Sequence, residues 1–277
     1  MGSKHVEMLL FRCKKNIKIV KHSIYILFLF IVGHIHGQNS DFEISIRGKS
    51  FNLMYGTITE ETEPAAILIQ ASEIFEEITR DLNELFDLPQ TINIRFGAGL
   101  DGPSYFQQNI DMPYEFLLTV DHYLANAGYS QSDEEQAEAL LNITEFVLYH
   151  EVGHALIDVL DIPVLGKDED AVDGFAAILA TQWDLDEVAL ATADLHSIQA
   201  EQAGGDISDE EFWDSHSLDE QRMFSILCMI YGSDSNEHAS LLEEIGMPDE
   251  KGAECEYEYH RAKRNWERVL GNAIKGN

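Results

Sequence analysis

The spacing of hydrophobic and polar positions changes along the chain, and each change marks an expected element. Residues 42–48, FEISIRG, alternate apolar and polar with the period of two that a half-buried strand requires. Residues 63–86, EPAAILIQASEIFEEITRDLNELF, repeat their apolar positions every three or four residues, the period of a helix with one buried face. LPQTINIRFG, residues 88–97, returns to alternation after a turn, and YEFLLTV, residues 114–120, reads as a second strand of the same kind. The first half therefore sets helix beside a small sheet.

From Ser132 the pattern becomes helical and stays so. Ser132 and Glu135 have the spacing of a capping box. The helix they open can run through Leu160 but must stop before Pro163, which has no N–H to donate. A second helix is expected within 168–183, where Asp168, Glu169 and Asp170 crowd a first turn that favours negative charge. Helical spacing recurs at 185–202 and 249–270, with two further capping boxes at Ser208 with Glu211 and Ser217 with Glu220. No repeat, proline-rich linker or low-complexity tract intervenes. The fold class expected is α+β, a small sheet packed on one long helix and followed by a helical C-terminal half, with residues 38–277 as a single domain.

Residues 1–37 follow a different pattern. Lys4, Arg12, Lys14, Lys15, Lys18 and Lys21 precede the apolar run SIYILFLFIVG and the polar exit HIHGQNSDFE. An apolar stretch of about ten residues falls short of the roughly 20 that span a bilayer, so a signal peptide cleaved after Gly37 is expected, and with it a secreted or periplasmic protein. Ile35 is bulky for its place before the cut, which keeps an uncleaved membrane anchor as the alternative. No cysteine follows the run to carry a lipid.

Charge narrows the function classes. The chain holds 18 Lys and Arg against 50 Asp and Glu; without the leader these become 12 and 49, a formal charge of about −37. Such a surface repels phosphate backbones and anionic lipid, so nucleic acid and a stable membrane association are not expected as partners. The leader also takes away one of three cysteines. Cys228 and Cys255 remain, and an exported protein is expected to join them, two buried thiols being the alternative.

The chemistry centres on FVLYHEVGHALIDVL, residues 146–160. On a helix His150 and His154 share one face, so their ring nitrogens can converge on one metal ion. Glu151, one position round, stands where a general base for water at the metal belongs. Gly153 leaves the approach open, at a cost to the helix of about 1 kcal/mol relative to alanine. Two core histidines with ordinary hydrogen bonds are the plain alternative, but burying His150, Glu151 and His154 together demands a strong partner. A third ligand must come from the acids downstream, Asp168, Glu169, Asp170 or Asp173. Glu169 and Asp173 lie four apart on one face, and Glu169 is assigned as metal ligand with Asp173 orienting a ligand histidine.

The stretch HEVGHALIDVLDIPVLGKDEDAVDGFAA, residues 150–177, resembles the gluzincin pattern, a His-Glu-x-x-His helix followed by a helix carrying Glu-x-x-x-Asp. It is more closely similar to a family of secreted zinc metallopeptidases. That likeness extends to LNELFDLPQTINIRFG, FWDSHSLDEQRMFSILCMIYGSD and CEYEYHRAKRNWERVL, most of residues 51–270. It implies a zincin-like fold, a Zn2+ cofactor and a peptide or protein substrate. One departure stands out: Ala98 and Pro113 occupy places where the family has a cysteine pair, which fits a dispensable disulfide and leaves the metal motif intact.

A peptidase of this type also wants a donor for the developing oxyanion. His216, Tyr231, Arg222 and His260 are the candidates, with His216 preferred because a loop between helix starts can present it. Asn142 in NIT matches a glycosylation acceptor but falls inside the expected long helix. The expected function is that of an exported zinc hydrolase, a metallopeptidase in which Glu151 activates water. The alternative is a non-catalytic metal-binding or interaction protein; a structural zinc site would need a fourth protein ligand, and no Cys or His close in sequence supplies one.

Overall fold

Among the described residues five strands form one mixed sheet in the order β1-β2-β3-β5-β4. The structure is a computed structural model and describes residues 42–203 and 216–275. The expected leader and the Ser208–Glu211 capping box lie outside the described residues. Strands β2 (Phe51–Tyr55), β3 (Ile92–Gly97) and β5 (Asn109–Pro113) are parallel, while β1 (Glu43–Ile46) and β4 (Ser104–Phe106) pair antiparallel at the two edges.

The alternation in 92–96 has a direct structural meaning. Ile92, Ile94 and Phe96 are fully buried, each worth about 1.5–3 kcal/mol of transfer free energy. The residues between them form a polar opposite face. Asn52, Asn93 and Asn109 stand in register and bond side chain to side chain at 2.9 and 3.1 Å, and Arg95 forks onto Asp111 at 2.6 and 2.8 Å. One face of the sheet is core and the other is not.

Two helices, α1 (Glu63–Ser72) and α2 (Ile74–Leu85), make the crossover from β2 to β3. The helical spacing read over 63–86 is thus shared by two helices, because Glu73 takes a left-handed conformation, φ 56°, and breaks the run. The strand expected at 114–120 is a helix, α3 (Tyr114–Ala127). Pro113 closes β5 and stands at its N-cap, and the buried positions Tyr114, Leu117, Val120 and Leu124 recur at helical intervals. Seven residues were too few to separate the two periods.

Helix α4 (Asp133–Val159) begins as expected, with the Ser132 hydroxyl accepting the Glu135 N–H at 3.2 Å. The reciprocal arm differs, since Glu135 accepts from Gln131 N–H. Helices α5 (Asp168–Gln182) and α6 (Asp186–Ala203) follow. Next come α7 (Asp219–Ser233), α8 (Leu241–Glu244) and α9 (Asp249–Leu270). The α7 cap departs from expectation: Leu218 holds the cap position with its N–H on Gln221, and the Ser217 hydroxyl instead donates to Asp170 at 2.6 Å. Cys228 on α7 and Cys255 on α9 are joined by a disulfide closing 27 residues, which a chain-entropy treatment values at about 3 kcal/mol. Gly232 permits that approach, since a Cβ there would lie 2.4 Å from the Cys255 carbonyl oxygen. Ala98 and Pro113 fall at one end of the neighbouring parallel strands β3 and β5. Among the described residues no helix is long and apolar enough to cross a membrane.

Candidate metal centre

Helix α4 is apolar round nearly its whole circumference because β4, β5, α3, α5 and α6 all pack against it. His150 and Glu151 are therefore buried, at 5% and 6% exposure, where unpaired polar groups cost several kcal/mol. The His150 ring is held on both sides. Its Nδ1 lies 2.7 Å from Asp173 Oδ1, and its Nε2 lies 3.2 Å from both His154 Nε2 and Glu169 Oε2. His154 Nε2 completes a near-equilateral triangle, 3.3 Å from Glu169 Oε2.

Those edges test whether the donors suit a metal. An ion about 2.0–2.1 Å from tetrahedral ligands spaces them roughly 3.3 Å apart, so the triangle already has the size such an ion requires. Asp173 accepts on the outer nitrogen, which fixes the His150 ring with its Nε2 toward the triangle. The sequence-derived set His150, His154 and Glu169 is brought together, with Asp173 behind it.

Helix α5 delivers both acids because Glu169 and Asp173 are one turn apart, and its closeness to α4 depends on Gly153. A Cβ at Gly153 would meet Val172 Cβ and Cγ1 at 2.9 Å. The glycine therefore serves helix–helix contact rather than an open approach to the metal, which corrects the expectation. From the other side Arg222 on α7 forks onto Asp173, Nε to Oδ2 at 2.8 Å and Nη2 to Oδ1 at 2.9 Å. Considered as an oxyanion donor, Arg222 is committed to a carboxylate instead.

His216 stands just before α7, its Nε2 2.9 Å from Glu169 Oε2 and its ring stacked on His150 at 6.1 Å. With 42% of its side chain exposed, it is the open member of a group otherwise at 7–18%. A fourth donor is thus within reach, contrary to the expectation that none was near. The other named candidates lie elsewhere. Tyr231 packs where a Cβ on Gly252 would meet its hydroxyl, and His260 is exposed on α9 beside Tyr259. Asp168 belongs to a second donor group with His154 and Glu169, while Asp170 accepts from Ser217.

One sequence signal for the supporting residues went unused. Between residues 96 and 250 the only Lys or Arg are Lys167 and Arg222. Both are spent here, since Lys167 Nζ donates to the His216 carbonyl at 2.8 Å. Cations this rare in an acidic chain mark the groups that need one, here the Asp173 carboxylate and the carbonyl of His216.

The charges reinforce one another. Burial would lower the His150 pKa, but its bonds to Asp173 and Glu169 outweigh that and raise it to about 9. Hydrogen bonds from His150, His154 and His216 hold the Glu169 carboxyl far below the usual range. Burial pushes Asp173 up, and His150 with Arg222 overcome this and keep it ionised. Glu151 goes the other way: burial raises its pKa despite the neighbouring His150 and His154, leaving a more basic carboxylate beside the donors than an exposed glutamate would be.

The model of the family described as "Putative metallopeptidase" matches residues 56–270. No curated protein and no solved structure matches the chain. With most of its length covered by that model, the chain belongs to this family.

Proposed function

We propose, from that membership and the size of the His150–His154–Glu169 triangle, that the protein is an exported zinc metallopeptidase of zincin-like fold. Residues 1–37 serve as its signal peptide and residues 38–277 as its single catalytic domain. The triangle is the observation that carries the reading: two imidazoles and a carboxylate are the donor chemistry of a catalytic zinc site. Zinc, when bound by His150, His154 and Glu169, supplies Lewis acidity to a peptide carbonyl and to water.

The chain's own residues do the rest. Glu151 takes a proton from water as its oxygen adds to the scissile carbonyl carbon. As the C–N bond breaks, Glu151 delivers that proton to the leaving amine. Asp173 orients His150, and Arg222 keeps Asp173 in place and charged. His216, on the exposed side, is suited to donate to the developing oxyanion. Cleavage of a broad peptide mixture by the purified protein, abolished by a chelator and restored by zinc, is the expected result. A protein that holds one zinc per chain and cleaves nothing would refute the enzymatic reading.

The nearness of His216 supports a second reading, a closed four-ligand site in a non-catalytic binding protein. His216→Ala separates the two. On the catalytic reading zinc content is retained and turnover falls about a hundred- to a thousand-fold, the usual cost of one oxyanion donor. On the closed-site reading the variant loses zinc.

A further inference from the structure

A groove of about 730 Å3 runs between α2, α4 and the start of α6, and it shares no lining residue with the His–Glu cluster. Its α2 wall uses positions 74, 77, 78, 81, 84 and 85, a single helix face about 16 Å long. Five lining residues are acids, Glu77, Asp81, Glu84, Glu145 and Glu187, and among the described residues no Lys or Arg lines it. Arg80 acts on Asp81 from outside the lining. Between the acids the surface is apolar and aromatic. Ile74, Leu185 and Trp183 contribute, with the fully buried Tyr149 backing Trp183 edge to face at 5.6 Å.

Glu145 is the informative member. Only 6% exposed, it accepts the Tyr149 hydroxyl on one oxygen, while Oε2 has no hydrogen bond from the described residues and is not fully buried, which leaves it open to the groove. A carboxyl so placed is relieved by a proton or by a cation, and a cationic ligand in the groove supplies the second. The surrounding groups add to the demand. Burial raises the pKa of Glu145 to about 7, and burial together with acidic neighbours raises Asp81 and Glu187 as well.

We propose that this groove docks a lysine- or arginine-bearing peptide segment, one cationic head meeting Glu145 and its aliphatic stem lying against Trp183 and Leu185. An aromatic wall with a carboxylate at its base suits a long side chain that is apolar along its stem and charged at its tip. The rim acids Glu77, Asp81 and Glu84, spaced at three or four residues, meet further cations of the same segment. The length admits roughly five residues of extended chain. Because the groove lies outside the metal cluster, the proposal holds whether or not that cluster is catalytic.

The test uses the mature protein and a fluorescein-labelled octapeptide of alternating Lys and Leu, followed by anisotropy. Saturable binding is expected, and the same peptide with Glu for Lys should not bind. Combining Glu77→Gln, Asp81→Asn and Glu84→Gln should weaken binding at least about tenfold with zinc content unchanged. Combining Glu60→Gln, Glu61→Gln and Glu63→Gln removes the same charge outside the groove and should change it less than about threefold. Glu145→Gln should weaken binding too; if it fails to fold, the rim triple decides. Equal losses in the two triples would reduce the effect to diffuse surface charge and overturn the proposal. So would no binding of the Lys peptide, equal binding of the Glu peptide, or stoichiometric spermidine or Ca2+ binding of equal strength, which would make this a small-cation site.

Discussion

Arg222 and Asp173 form a two-pronged ion pair, 2.8 and 2.9 Å long. Asp173 Oδ1 is shared, receiving both the guanidinium and the imidazole Nδ1 at 2.7 Å. Orientation of His150 Nε2, the nitrogen that faces Glu169, therefore reaches back through a buried carboxylate to a residue on α7, more than seventy positions along the chain.

Removing Arg222 should cost both stability and metal. Arg222→Ala leaves Asp173 charged, buried and without its counterion, a change that typically destabilises by about 3–5 kcal/mol. Loss of the outer support should also lower zinc affinity about 10- to 100-fold. Arg222→Lys restores the charge without the fork and should fall between. Urea unfolding and chelator competition on the same preparations measure the two effects; wild-type zinc affinity in Arg222→Ala would show that the pair is only structural.

Glu151→Gln tests the general base. Glutamine keeps the shape and cannot take the proton, so turnover should drop about a hundred- to ten-thousand-fold while zinc content and melting temperature stay close to wild type. An active variant would eliminate Glu151 from the mechanism. Lost metal would make it a structural residue instead.

Gly153 carries a prediction of opposite sign to helix propensity. In an open helix Gly→Ala gains about 1 kcal/mol. Here the new methyl would sit 2.9 Å from two carbons of Val172, so Gly153→Ala should destabilise by about 1–3 kcal/mol. Pushing α5 outward should weaken zinc binding too. Increased thermal stability with unchanged zinc affinity would show that the contact relaxes freely.

Asp194 on α6 makes stability depend on pH. Burial raises its pKa from 3.8 to about 7, and the hydrogen bond from Tyr129 recovers only part of that. The native state then binds a proton that the unfolded chain has already released. Its contribution is fully present below about pH 4 and is lost as pH rises through 7, a change of about 2–4 kcal/mol. Glu145, raised by burial to about 7, acts with the same sign. Asp194→Asn should flatten the decline, so that variant minus wild type is more favourable at pH 8 than at pH 5. Melting curves across that range that run parallel for the two proteins would contradict it.

What the sequence by itself determined is what local periodicity, caps and the spacing of donor side chains encode. Alternation at 92–96 specified a one-sided strand, Ser132 opened the long helix, and His150, His154, Glu169 and Asp173 were marked by one-turn spacing on two helices. The Cys228–Cys255 bond was legible from count and context. Tertiary packing decided the rest. Tyr114–Ala127 became helix because its buried positions continue past the seven residues in which two periods look alike. Gly153 acquired its purpose only when α5 pressed against it, and Arg222 and His216 reached the site because α7 folds back along α5 and α6. Spacing within one helix is a property of the backbone and can be counted in advance. Which helix faces meet depends on how whole surfaces pack, and no interval between residues 173 and 222 records that contact.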